Sequence, residues 1–95
     1  MNDPSAVRDN PALSRFELDT GEGIAVANYH AAPGVLTFYH TEVPAQLRER
    51  GIASRLVHGA LEQVRAEGLK VVPRCDFVRH YIVTHPEFQD LIAFI

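Results

Sequence analysis

Three arginines crowd one glycine in this chain: Arg48, Arg50 and Arg55 fall within eight residues, with Gly51 among them. The run "RERGIASR" leads directly into a periodic apolar segment, so the glycine sits where a helix begins. A helix start offers unpaired backbone N–H groups and the positive end of the helix dipole. Glycine, having no Cβ, lets that backbone approach a ligand closely. Arginines add charge-assisted donors. Together these features suit a phosphate, and a plain tight turn is the competing reading.

Two other places carry reactive groups. His40 and Glu42 are two residues apart on a strand-like run, so both lie on one face. His40 could relay a proton; the plain readings are a half-buried strand histidine and an exposed strand-end glutamate. Cys75 lies between a run ending at Pro73 and a helix-like run from Asp76, with Arg74 and Arg79 nearby. A helix N-terminus and neighbouring cations favour a thiolate, whereas many free cysteines are inert core residues. Asp76 suits a helix N-cap, and its charge opposes the thiolate. The other histidines offer little. His58 falls outside the apolar stripe of its helix, His80 and His85 are five apart, and with one cysteine no zinc site is expected.

The elements that must position these groups are legible in outline. The chain has 95 residues, 46% hydrophobic and 22% charged, which fits one ordinary globular domain. A net charge of -3 and a pI near 5.9 argue against a nucleic-acid partner. The single cysteine fits a reducing compartment. No apolar run reaches the roughly 20 residues of a membrane span, and the start of the chain does not read as a signal peptide. Cytoplasmic residence is the expectation.

Residues 1–11, with two Pro, two Asn and two Asp, read as a flexible N-terminal arm, and residues 12–95 as the domain. From Leu13, "LSRFELD", "GEG" and "IAVANYHA" form a hairpin pattern, and "VLTFYHTEV" after Pro33-Gly34 is a third strand. Ala53, Leu56, Val57, Ala60, Leu61 and Val64 share one face of a following helix, with Gly68 as its C-terminal glycine. "LKVVP" reads as a strand, Asp76–Thr84 as a second helix, and the run after Pro86 as a last apolar turn. The predicted class is α+β: an antiparallel β-meander followed by helix, strand and helix.

The hexapeptide Arg48-Glu49-Arg50-Gly51-Ile52-Ala53 fits the (Q/R)-x-x-G-x-(G/A) pattern of the GNAT superfamily of N-acetyltransferases. With "YHTEVP" before it, and "GIASRLVHGAL" and "GLKVVPRCDFVRHYIVTHPEFQDL" around and after it, the chain resembles the compact YjdJ-type branch from Phe16 to Leu91. The resemblance implies a compact GNAT-like fold and acetyl-CoA as cofactor. It implies cofactor contacts at Val43, Arg48, Glu49, Arg50, Gly51, Ile52, Ala53, Ser54 and Arg55, with Cys75 near the thioester. It makes Glu42 a candidate general base and His40 a relay. Cys75 becomes an acetyl acceptor, a proton donor or pocket lining. The tyrosine many relatives carry seven residues on from the Cys75 position is Ile82 here, so Tyr81 is expected to pack. The implied partner is an amine acceptor, a protein lysine or a small polyamine, approached by a monomer or weak dimer. The alternative is a non-catalytic acyl-CoA-binding or protein-interaction module.

Overall fold

The computed structural model describes residues 6–48 and 50–93. Its five-stranded sheet follows chain order: β1 (Val7–Asn10), β2 (Arg15–Asp19), β3 (Ile24–Ala32), β4 (Val35–Glu42) and β5 (Lys70–Pro73). The first four strands are antiparallel, and β5 returns parallel to β4 after helix α1 (Ile52–Ala66). Helix α2 (Asp76–Thr84) and a 3-10 turn (Pro86–Leu91) follow, and Ile92 bridges back to Val71.

Period-two alternation builds the inner face of the sheet. Phe16 and Leu18 on β2, Ala25, Ala27 and Tyr29 on β3, and Leu36 and Phe38 on β4 are buried. The rings of Phe16, Tyr29 and Phe38 lie within 5.6–6.0 Å of one another. Most of the expected stripe of α1 lands on this face: Leu56, Val57, Ala60, Leu61 and Val64 are at most 1% exposed, whereas Ala53 in the first turn is only half-buried. The helix ends as its glycine indicates, with Gly68 at φ 71° and its N–H on Arg65 O. Helix α2 adds Val78, Tyr81 and Ile82 to the same core. Both helices thus cover one face. The other carries exposed Arg8, Asp19, Ile24, His30, Tyr39, His40 and Glu42, with no helix over it among the described residues.

Two expectations need correction. The 1–11 arm is ordered from Val7: β1 pairs with β2, the Tyr29 hydroxyl donates to Asp9 Oδ1 at 2.7 Å, and Gln63 Nε2 donates to Val7 O at 2.6 Å. Residues 1–5 lie outside the described residues. Leu13 is not in a strand but in a 3-10 turn (Pro11–Leu13), 57% exposed.

One irregularity shapes the site. Between Asn28 and Tyr29 the β3–β4 register shifts: Asn28 pairs with His40 but Tyr29 with Phe38. Tyr39 is the extra residue of this bulge, so Tyr39 and His40 are both exposed. Tyr39 stacks on His30 at 4.4 Å.

Candidate active site

The site is built where β4 and β5 part. Along β4, β5 pairs with Val35–Phe38 and no further. Phe38 O then accepts from both Arg74 N and Cys75 N at 2.9 Å, and the chain turns into α2. Beyond that point β4 keeps β3 as its sheet neighbour and, among the described residues, has an open edge on the other side. The wedge is a cleft of about 450 Å³ lined by His40, Thr41, Glu42, Val43, Arg48, Ala53 and Phe77. It runs on into a hollow of about 270 Å³ at the start of α1, which adds Leu47, Gly51, Ile52 and Ser54.

The floor of that hollow is the helix start. Gly51 is the N-cap at φ 73°, ψ 13°, a left-handed conformation that L side chains disfavour. A Cβ there would meet nothing within 4 Å, so dihedral angle rather than space selects glycine. Among the described residues no side chain caps this end, and the first helical bond runs from Arg55 N to Gly51 O. The N–H groups of Ile52, Ala53 and Ser54 precede that bond and have no partner within the helix, which is an anion-binding arrangement.

The three arginines separate. Arg48 lies along both hollows, its Nε donating to Val43 O at 3.1 Å. Arg50 pairs instead with Glu22 of the β2–β3 turn at 3.2 Å. Arg55 is exposed on α1, and neither it nor Arg50 is among the lining residues. Glu49 lies outside the described residues. The β2–β3 turn also braces the loop: Gln46 Nε2 donates to Glu22 O, and a Cβ on Gly23 would stand 3.0 Å from Pro44 Cγ.

His40 and Glu42 do share a face, with His40 Nε2 3.5 Å from Glu42 Oε1, both exposed at the mouth of the cleft. Cys75 is 9% exposed and sits behind the wall, its Sγ 3.2 Å from Oγ1 of Thr41, which lines the cleft. Cys75 itself, not Asp76, is the N-cap of α2, and it makes no side-chain cap bond. Arg79 pairs with Asp76 at 2.6 Å, so it is engaged by the carboxylate and not by the thiol. His58 is not a purely solvent-facing residue, because its Nδ1 lies 3.0 Å from the Tyr81 hydroxyl. Among the described residues no group of three or more His, Cys, Asp or Glu could hold a metal.

Sequence reasoning missed Thr41, Leu47 and Phe77. Thr41 lies on the face opposite its neighbours His40 and Glu42, paired with buried Ala27, and only the open β4 edge brings it into the cleft. Phe77 shares the apolar side of α2 but sits at its first turn, where that side emerges beside α1.

The class of fold is a five-stranded mixed sheet whose fourth and fifth strands part beside an arginine-flanked helix start. Residues 15–91 match the GCN5-related N-acetyl-transferase family, and the chain belongs to it. Enzymes of this family generally use acetyl-CoA. Protein NATD1 of Gallus gallus is 38% identical over 52 residues, covering 55% of this chain and 47% of that protein. Protein NATD1 of Xenopus tropicalis is 40% identical over 47 residues, covering 50% and 43%. The aligned part thus spans about half the length of these relatives or less. The NMR solution structure of a GCN5-like protein from Staphylococcus aureus superposes with a TM-score of 0.70 at 20% identity, covering 99% of this chain and 93% of that one. That likeness shows the fold.

Proposed function

We propose that this protein is an acetyl-CoA-dependent N-acetyltransferase acting on a primary amine, of the compact YjdJ-type branch, in a reducing cytoplasm. The observation that carries it is the cleft beside the open β4 edge, floored by the N-terminus of α1 with Gly51 and Arg48. When bound, acetyl-CoA supplies an activated acetyl thioester. Its pyrophosphate would be held by the N–H groups of Ile52, Ala53 and Ser54 and by Arg48, in the fit expected of a helix start.

The protein's own groups divide the rest of the work. An amine arrives as an ammonium ion and must lose a proton before it can attack. Glu42 takes that proton, directly or through His40 at 3.5 Å. Backbone N–H groups on the open β4 edge stabilise the developing oxyanion. Thr41 forms the wall with Cys75 behind it, so a proton reaches the leaving sulfur from the Thr41 hydroxyl, which Cys75 Sγ backs at 3.2 Å. The acceptor enters from the uncovered face of the sheet, where Tyr39, His40 and Glu42 are exposed. A shallow, open approach with a carboxylate at its end suits a lysine protruding from a larger partner, or a small polyamine.

A second reading is a non-catalytic acyl-CoA-binding module. It is favoured by one observation: the α2 tyrosine, Tyr81, bonds to His58 and is absent from the cleft lining. Calorimetric titration with coenzyme A and acetyl-CoA tests the shared core. Dissociation constants in the micromolar range, roughly -8 kcal/mol, are expected, and no heat with either compound would overturn both readings. Thiol release from acetyl-CoA in the presence of an amine panel then separates enzyme from module.

A further inference from the structure

The seam between α1 and α2 holds a hydrogen bond with no part in the chemistry above. Ser54 and Phe77 line the cleft from the first turns of the two helices. One turn further along each helix stand His58 and Tyr81, four residues on and therefore on the same sides. Tyr81 is 7% exposed, and its hydroxyl lies 3.0 Å from His58 Nδ1. His58 Nε2 lies 3.5 Å from Glu62 Oε2. One proton arrangement satisfies all three groups: the phenol donates to Nδ1, and Nε2–H faces the carboxylate, which only accepts. Burial, with the charges of Glu87 and Glu62 behind it, pushes the Tyr81 phenol up and keeps it a donor.

Neighbouring rings fix the pair in place. His85 stacks on Tyr81 at 3.8 Å and 9°, and Phe88, 1% exposed, meets the His58 ring edge-on at 5.4 Å. Arg65 lies 5.7 Å over Phe88 and pairs with Asp90, closing the far end of the seam.

We infer that Tyr81 and His58 are positioning residues: their hydrogen bond fastens α2 to α1 and sets the distance between Phe77 and the α1 N-terminus, the width of the cofactor cleft. The inference rests on the coenzyme A reading above. It gives the α2 tyrosine a role through packing, since its hydroxyl is engaged on α1 and Tyr81 does not line the cleft.

Calorimetry with coenzyme A on the wild type, Tyr81→Phe, His58→Ala and the double variant is the test. Each single change is expected to weaken binding about threefold to tenfold. The double variant should be no weaker than the worse single one, as for two halves of one interaction. His58→Asn, which restores an acceptor at the Nδ1 position, should recover most of the loss. Affinity unchanged by Tyr81→Phe, or losses that simply add, would overturn the inference. Nitrogen-15 NMR of the imidazoles reads the same bond without ligand. His58 should show an unprotonated Nδ1 whose resonance moves in Tyr81→Phe, and the opposite tautomer or no movement counts against the inference. A wild type that does not bind coenzyme A overturns the proposed function instead, and the NMR result still decides whether the seam is built as stated.

Discussion

Glu42 and Cys75 were both legible as candidates from residue type and spacing, but the structure gives them unequal access. Glu42 is exposed at the cleft mouth with His40 beside it, whereas Cys75 stands behind Thr41. A molecule in the cleft therefore meets the carboxylate directly and the thiol only through the wall. Once an acceptor amine is in hand, Glu42→Gln should lower turnover about a hundredfold or more, the usual range for losing a general base, with coenzyme A affinity nearly unchanged. Cys75→Ala should cost less than about tenfold, since a small side chain fills the same place without touching the amine. Steady-state rates of the two variants decide it, and the reverse order would make the thiol the reacting group. The sequence placed Cys75 correctly at a helix start, because Pro73 and the Asp76 run mark it locally. Its burial was not legible, because that depends on Thr41, 34 residues away.

At the scale of elements, the periodic segments were readable and the short one was not. Helix α1 carries its apolar stripe in its own sequence, and α2 begins and ends as its pattern indicates. β1 has four residues, of which only Val7 is buried, and Pro11 follows it. Nothing within it specifies a strand. Its order comes from partners far along the chain: pairing with β2, the Tyr29–Asp9 hydrogen bond and the Gln63–Val7 bond. Removing one of these should loosen β1 selectively. Tyr29→Phe keeps the ring in its aromatic cluster but deletes the bond to Asp9, at a cost of about 1.5–3 kcal/mol for a hydrogen bond to a charged group. Urea unfolding should show that loss, and amide exchange should quicken at Val7–Asn10 more than in α1. Equal quickening in both elements would mean that β1 is not separately tethered. The same tertiary dependence hid the bulge at Tyr39. A register shift is a property of two paired strands, and neither sequence alone encodes it.

Across the whole molecule, ionisable groups bound the pH range of stability from both ends. Arg15, hydrogen-bonded to Glu17 with help from Asn10, holds that carboxyl below its ordinary value. The Arg65 hydrogen bonds do the same for Asp90. A carboxyl with a lowered folded-state pKa contributes stability above its unfolded pKa, and that contribution is lost as pH falls through the folded value. At the alkaline end Tyr29 and Tyr81 are raised, chiefly by burial, with Asp9 adding to the effect on Tyr29. Their contribution is complete below the unfolded tyrosine pKa and disappears as pH rises through the folded values. Urea midpoints should therefore fall on both sides of a neutral plateau, and that plateau need not centre on the pI near 5.9. Glu17→Gln should flatten the acid limb and leave the alkaline limb unchanged, and Tyr29→Phe should flatten the alkaline limb while easing the acid one little. The two limbs report different parts of the fold. Glu17 lies on the uncovered face through which the acceptor is proposed to enter, whereas Tyr29 ties β1 to the core. An acid limb unmoved by Glu17→Gln would mean that the Arg15 pair is too well solvated to couple to folding. In that case the uncovered face adds little to stability and would be free to vary with the acceptor it serves.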